Sequence, residues 1–295
     1  MTVLVVGGTG RLGRLVVQSL SADGKQVRVF SRDETYAGQL RALGIETMLG
    51  DLRDVDTVRR AVDGCESVVA AASGFGPMGS SSPKNVDRDG NLTLIEEAVS
   101  AGIEHFVLVS MHGASPHASL ELLRMKYAAE QVLVSSGLSW TIIRPTAFLE
   151  TYLEVLAQPL KRRNSTLVFG KGDILINFVS AADVAALVCK ALQRREFRGR
   201  TIDWGGANLT LNELSEALHE AAGRPGPTIH VPLWLLRVVS ISAHPFSPFV
   251  SRVTTAAVLM NSLPTLFDPA PERLQHPDLT QTSVSTAIDS VLSVA

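Results

Sequence analysis

Along the first half of the chain, short aliphatic runs alternate with longer stretches in which apolar side chains recur every three or four positions. The runs Val3–Val6, Val27–Phe30, Thr47–Leu49, Ser67–Ala71, Phe106–Val109 and Trp140–Ile143 are almost continuously apolar, the pattern of strands buried on both faces of a parallel sheet. Between them, Leu12–Ala22, Glu34–Leu43, Asp54–Val62, Gly90–Ala101 and Leu120–Ser135 carry helical periodicity and predict crossover helices. Gly102 and Gly137 each follow the last apolar turn of a helix, where a left-handed cap is wanted. Repeated β-α-β units of this kind specify an α/β fold with a doubly wound parallel sheet.

After about Phe148 the alternation loosens, and Pro, Ser and Gly become frequent from Gly223 onward. The expected division is a doubly wound core over residues 1–150. Residues 151–295 then supply the rest of that core, interleaved with a small C-terminal lobe that does not fold alone. Ser180-Ala-Ala-Asp183 and Thr210-Leu-Asn-Glu213 match the capping-box pattern and predict helices near Ala181–Leu192 and Leu211–Ala222. The segment Val231–Ala243 is the most apolar, but it is too short to span a bilayer and carries Arg237, so it reads as a buried or partner-facing helix.

Composition narrows the function classes. Apolar residues make up 45% of the 295 positions and charged residues 19%, which excludes a disordered chain. With 27 Lys and Arg against 29 Asp and Glu there is no basic field, so no nucleic-acid partner is expected. Cys65 and Cys189 are the only cysteines and lie far apart, excluding a disulfide framework or a Cys-x-x-Cys metal cluster. No His, Asp and Glu spacing resembles a metal site. A reducing cytoplasmic setting is expected, because the N-terminal residues lack the charged region and long apolar run of a signal peptide.

The chemistry begins at Gly7-Gly8-Thr9-Gly10-Arg11-Leu12-Gly13, between the first strand and the first helix. Gly7 allows a tight turn, Gly10 admits a pyrophosphate against the backbone, and Gly13 lets the helix pack closely; free N–H groups at the helix start face the anion. In this strand-loop-helix context the motif predicts a Rossmann-type dinucleotide site. An NAD-type protein places an acid at the end of the second strand to hold the ribose diol, but here the chain reads Phe30-Ser31-Arg32. Arg32, with Arg11, suits a 2′-phosphate, so NADPH is expected over NADH. Asp33 points the other way if it reaches a diol, and a solvated Arg32 is the plain alternative. Asp51 and Leu52 follow the third strand, and the small residues Ala71, Ala72 and Ser73 follow the fourth, at the sheet edge where such ligands lie. Asp51 is a candidate for the adenine amine and equally for a turn or cap residue.

Taken together, GGTGRLG at the N-terminus, GDLRD at 50–54, SGLSWTIIRPTAFLE at 136–150 and NFVSAADVAALV at 177–188 resemble the NmrA-like, atypical branch of the short-chain dehydrogenase/reductase superfamily, over roughly residues 1–222. The resemblance implies a bound nicotinamide cofactor. Its members include quinone reductases, triphenylmethane-dye reductases, complex I accessory subunits and redox-sensing regulators that turn nothing over. The superfamily's Tyr-x-x-x-Lys pair is broken here: counting back from Lys126 gives Leu122, which cannot donate a proton, and Tyr127 lies about 100° around the helix from Lys126, reading as packing. The resemblance carries a ribose contact over to Lys126 and a nicotinamide-lining role to Pro145, Thr146, Ala147 and Phe148. Ser110 ends the fifth strand near the superfamily's serine, and Ser110 or His112 is the candidate to polarise a substrate oxygen. Asp183 is explained as a cap and given no catalytic role. Met125, Trp140, Trp234 and Phe246 are candidate pocket residues, or simply core.

These readings converge on transfer of a hydride from NADPH to a quinone-like or other electron-poor small molecule. The alternative is a non-catalytic NADP(H)-binding redox sensor or assembly factor with a protein partner, favoured by Leu122 and by the apolar 234–243 segment.

Overall fold

The computed structural model describes residues 2–75, 81–243, 247–261 and 265–294. The chain forms two units, residues 1–145 with 184–204, and residues 146–183 with 205–295. In chain order the strands of the first unit are β1 (Thr2–Val6), β2 (Gln26–Ser31), β3 (Glu46–Leu49), β4 (Ser67–Ala70), β5 (His105–Val109) and β6 (Trp140–Pro145). The chain then forms β7 (Ala147–Phe148), β8 (Thr166–Phe169) and β9 (Ile176–Val179), returns to the first unit for β10 (Arg200–Trp204), and ends with β11 (Ala207–Leu209) and β12 (Thr228–Val231). The first unit holds a seven-stranded sheet in the order β10-β6-β5-β4-β1-β2-β3, parallel throughout. The order reverses at β1, so the doubly wound expectation holds.

The apolar runs of β1, β2, β4, β5 and β6 are largely buried, whereas the outer strand β3 has no buried residue. On one face, Leu4, Val6, Phe106, Leu108 and Ile142 pack against Val58, Ala61, Leu94, Ala98, Ala129 and Leu133 from helices Val55–Val62, Asn91–Ser100 and Glu121–Ser135. Burying each large aliphatic side chain contributes roughly 1.5–3 kcal/mol. Gly102 and Gly137 take the left-handed caps, at φ 69° and 81°. The helix expected from Gly90 starts at Asn91 and is preceded by a π-helical stretch, Pro83–Gly90, capped by Ser82. The outer strand β10 escaped the hydrophobic pattern, since only Ile202 and Trp204 of its five residues are buried.

The second unit has a three-stranded sheet, β11-β9-β7, and a parallel pair, β12 with β8. Its core joins Leu149, Leu153, Phe178, Leu211, Leu214 and Ile288. Thr210 and Glu213 form the expected capping box on helix Leu211–Ala221. Of the box expected at Ser180 and Asp183, Ser180 Oγ caps the helix start by accepting from Ala182 N at 3.2 Å, but Asp183 is engaged elsewhere and Glu150 joins the cap. The buried Glu150 carboxylate accepts from Ala181 N at 3.1 Å and from Ser180 Oγ at 2.5 Å, capping helix Ala181–Gln193. Asp183 instead accepts from Thr282 N at 2.9 Å and Thr282 Oγ1 at 2.6 Å, and pairs with Arg273 at 3.3 Å.

Helix Leu233–Ala243 is not buried: Trp234, Val238 and Ile241 stay exposed. Its Ser240 Oγ lies 2.6 Å from Thr255 Oγ1 of helix Pro248–Met260. Among the described residues no helix is long and apolar enough to cross a membrane. Phe246 lies outside the described residues. Both cysteines are buried, and burial pushes the Cys189 thiol up to about 11.

Candidate functional site

The carboxyl ends of the parallel strands share one edge of the first unit. After β1 the chain turns through Gly7 at φ 81°, where an added Cβ would lie 2.7 Å from Ala72 N. A Cβ on Gly13 would lie 2.2 Å from Gly7 O, so the helix Arg11–Ala22 can approach the turn this closely only with glycine there. Gly10 differs: its backbone is extended, it is exposed, and a Cβ would meet only Gly7 O, at 3.3 Å. Packing therefore restricts Gly10 less than Gly7 or Gly13, and the exposed backbone there leaves room for a phosphate group to rest on it. The helix behind it has no side-chain cap and no acid in its first turn, leaving its first N–H groups to an anion. These residues therefore fit a dinucleotide pyrophosphate. Arg14 buttresses the loop, donating to Thr9 O at 2.8 Å while its guanidinium lies 3.8 Å from the Tyr36 ring centroid.

At the β2 end, Thr9 Oγ1 and Ser31 Oγ are 3.1 Å apart. Arg32 is exposed, donates to Ser81 Oγ at 2.7 Å, and stands 3.8 Å from Asp51 Oδ2. Asp33 turns away from this cluster: its side chain accepts from Tyr36 N and caps helix Glu34–Ala42. Asp51 is gripped by Arg53 of the same turn, at 2.9 and 2.7 Å. The Arg53 hydrogen bonds are the main reason its carboxyl is held at about 2. The Leu52 side chain is in the core, which leaves only its backbone for a ligand. Ala71 and Ala72 are half-buried and Ser73 is exposed, where the chain leaves β4.

At the β5 end, Lys126 is buried. Its ammonium lies 2.9 Å from Asp87 Oδ1, donates to Val109 O at 2.9 Å, and reaches Ala72 O at 3.5 Å. Asp87 is completely buried and its other oxygen accepts from Gly74 N at 2.8 Å. Lys126 thus ties the ends of β4 and β5 to the π-helical stretch. Asp87 was invisible as a partner in the sequence, since it sits in a polar run with no spacing relation to Lys126.

Ser110 follows β5 and is 4% exposed, yet its Oγ has no hydrogen-bond partner among the described residues. A buried hydroxyl in that state marks a place where a ligand or water completes the bonding. His112 N donates to Pro145 O at 2.9 Å, and its Nδ1 lies 2.7 Å from Asp203 Oδ1 of β10. Arg144 is the register neighbour of Asp203 and donates to the buried Glu130 at 2.9 Å. Tyr127 is half-buried and acts electrostatically on Arg144. Asp203 was missed because the strand that carries it was unrecognised, and Glu130 was given no role in the sequence reading.

Of the loop expected to line a nicotinamide, Pro145 ends β6 in the first unit, whereas Thr146 and Phe148 belong to the second. Thr146 Oγ1 donates to Asn177 Oδ1 at 2.8 Å, and Asn177 also donates to Gly206 O. Trp140 packs on the core and Trp234 is exposed. The second unit has a separate open groove of about 820 Å³, lined by Lys171, Asp173, His230, Leu233 and Trp234 among others.

A glycine turn with an uncapped helix behind it, at the edge of a doubly wound sheet, defines a dinucleotide-binding protein. The chain belongs to the NAD(P)H-binding family, whose model matches residues 7–195. It is 30% identical over 241 residues to a photosystem II assembly factor, Ycf39, of Trieres chinensis, covering 81% of this chain and 75% of that protein. It is 31% identical over 225 residues to an NAD(P)H azoreductase of Xenophilus azovorans, covering 76% of this chain and 74% of that protein. Its fold matches a triphenylmethane reductase of Citrobacter sp., solved with NADP(H), at a TM-score of 0.79, 18% identity, and coverage of 99% and 100% of the two chains. The resemblance to NmrA-like atypical short-chain reductases is supported by the family and by these neighbours.

Proposed function

We propose that the chain is an NADPH-preferring reductase of quinone-like or other electron-poor small molecules, acting in the reducing cytoplasm. The observation that carries this reading is the buried Ser110 hydroxyl, left without a hydrogen-bond partner among the described residues at the end of β5, where a reacting group would lie. The similarity to an azoreductase supports it. NADPH, when bound, supplies the hydride. Gly7 to Gly13 cradle the pyrophosphate, and Arg32, steadied by Ser81, meets the 2′-phosphate. Lys126 acts by holding the ends of β4 and β5, with Asp87 balancing its charge. Ser110 offers its hydroxyl to the acceptor. Electron-poor acceptors become stabilised anions once reduced, so the leucine at position 122 costs such a reaction less than it would cost reduction of a simple ketone.

The test is NADPH consumption, followed by absorbance, with a panel of quinones, azo and triphenylmethane dyes and conjugated carbonyls. Acceptor-dependent, saturable turnover is expected. The second reading is a non-catalytic NADP(H)-binding assembly factor, favoured by the exposed Trp234, Val238 and Ile241 and by the similarity to Ycf39. NADPH binding without turnover of any acceptor would put that reading first.

A further inference from the structure

A reductase without the phenol of Tyr-x-x-x-Lys needs another proton donor, and Lys126 is too enclosed to serve: it is 5% exposed, with its ammonium directed to Asp87, Val109 O and Ala72 O. Two residues beyond Ser110, the His112 backbone is fixed by its bond to Pro145 O. Its ring is fixed as well, by the 2.7 Å contact between Nδ1 and Asp203 Oδ1. Asp203 accepts only, so the Nδ1–H donates and the tautomer is set. The neighbouring guanidinium of Arg144 is taken up by Glu130, so the Asp203 carboxylate remains available to the imidazole. Both side chains are about a third exposed, 38% for His112 and 35% for Asp203, so the pair is open to a small molecule rather than sealed in the core.

Building on the reductase reading, we infer that His112 is the proton donor to the reduced acceptor and that Asp203 is its positioning residue. Once the acceptor has taken up a hydride it holds an extra electron pair on oxygen or nitrogen. The Nε2–H bond of the doubly protonated ring breaks, an O–H or N–H bond forms on the acceptor, and the imidazole is left neutral with its Nδ1–H still on Asp203. Water then restores the Nε2 proton. In the doubly protonated form the Nδ1–H to Asp203 bond is charge-assisted, which holds the ring in one orientation through the transfer.

The experiment combines steady-state kinetics with nitrogen-15 NMR of the imidazoles, on wild type, His112→Gln and Asp203→Asn. In the cofactor-free wild type, at alkaline pH where the ring is neutral, the resonance lost in His112→Gln is expected to show the Nδ1–H tautomer, and Asp203→Asn should shift that signature toward Nε2–H. His112→Gln should lower kcat about 100-fold with KM and NADPH affinity unchanged, and Asp203→Asn about 10-fold. The solvent deuterium isotope effect on kcat should change in both variants. A His112→Gln protein that keeps kcat within twofold of an active wild type overturns the inference and leaves the reductase reading standing. An unchanged tautomer signature in Asp203→Asn overturns the role of Asp203. If the wild type reduces none of the panel, the reductase reading falls and this inference falls with it. NADPH affinity and melting temperature, expected to stay at wild-type values, separate loss of the proton donor from loss of fold.

Discussion

At the β2 and β3 end of the carboxyl edge, the Arg32 guanidinium is exposed and engaged by one hydroxyl, with Asp51 at 3.8 Å. At the β4 and β5 end, the Lys126 ammonium is buried and met by a completely buried carboxylate and two carbonyls. Both are cations at the carboxyl edge of the sheet; Arg32 is offered to the cofactor by its place after β2, and Lys126 only by the family resemblance. Their surroundings separate them. Among the described residues Arg32 donates one short hydrogen bond, whereas the Lys126 ammonium is enclosed and its charge is balanced by Asp87.

That contrast can be broken most directly at the buried pair. Asp87→Asn leaves the Lys126 ammonium uncompensated in the interior and is expected to cost roughly 3–5 kcal/mol of stability. The measurement is denaturant unfolding, and pairing the change with Lys126→Met should recover much of the loss. If Asp87→Asn unfolds like wild type, the tie is not structural.

The next effect is on acid stability. Burial, with Arg198 adding, holds the His105 imidazole at about 4 at the start of β5, against 6.5 in an unfolded chain. The folded protein therefore binds fewer protons than the unfolded chain between these values. Stability is full above pH 6.5 and falls as the pH drops toward 4, by about 3 kcal/mol at most. Asp51, at about 2 against 3.8, contributes stability above pH 3.8 that is lost as the pH falls toward 2. Melting temperatures across pH should show the two windows separately, and His105→Gln should remove the upper one.

Arg32→Ala sharpens the comparison from the other end. It should weaken NADPH binding by roughly 10- to 100-fold, with little change for NADH and less than about 1 kcal/mol of stability. Calorimetric titration with both cofactors checks this, and equal losses would remove the 2′-phosphate assignment. The smallest effect is expected from Arg53→Ala, which releases Asp51 toward its ordinary value. Stability at neutral pH should change by under about 1 kcal/mol, because the pair is at the surface. The lower acid window should shrink.

What was legible in the sequence was what local chemistry dictates. The inner strands β1, β2, β4, β5 and β6 showed as apolar runs because they are largely buried, and the glycine loop announced itself by order and context. Thr210 and Glu213 formed their box because the motif is self-contained. Ser180 and Asp183 matched the same pattern, yet Ser180 shares the helix start with Glu150 and Thr282 took Asp183, and neither partner is marked by spacing. β10 was hidden because an outer strand with two buried residues has no pattern to show, and Asp203 was hidden with it. Lys126 had a motif, but its environment depended on Asp87, a contact made only on folding.

The second unit is built from residues 146–183 and 205–295, with β10 and most of helix Ala181–Gln193 between them. No single crossover of genes can therefore exchange it without also exchanging residues 184–204 of the first unit. A recombinant that trades only the later segment would bring in a foreign partner for the resident Asp183, whose ligands are Arg273 and Thr282. Lineages that alter this unit must change two separated stretches in concert, and chimeras meant to borrow a relative's specificity need three junctions rather than one.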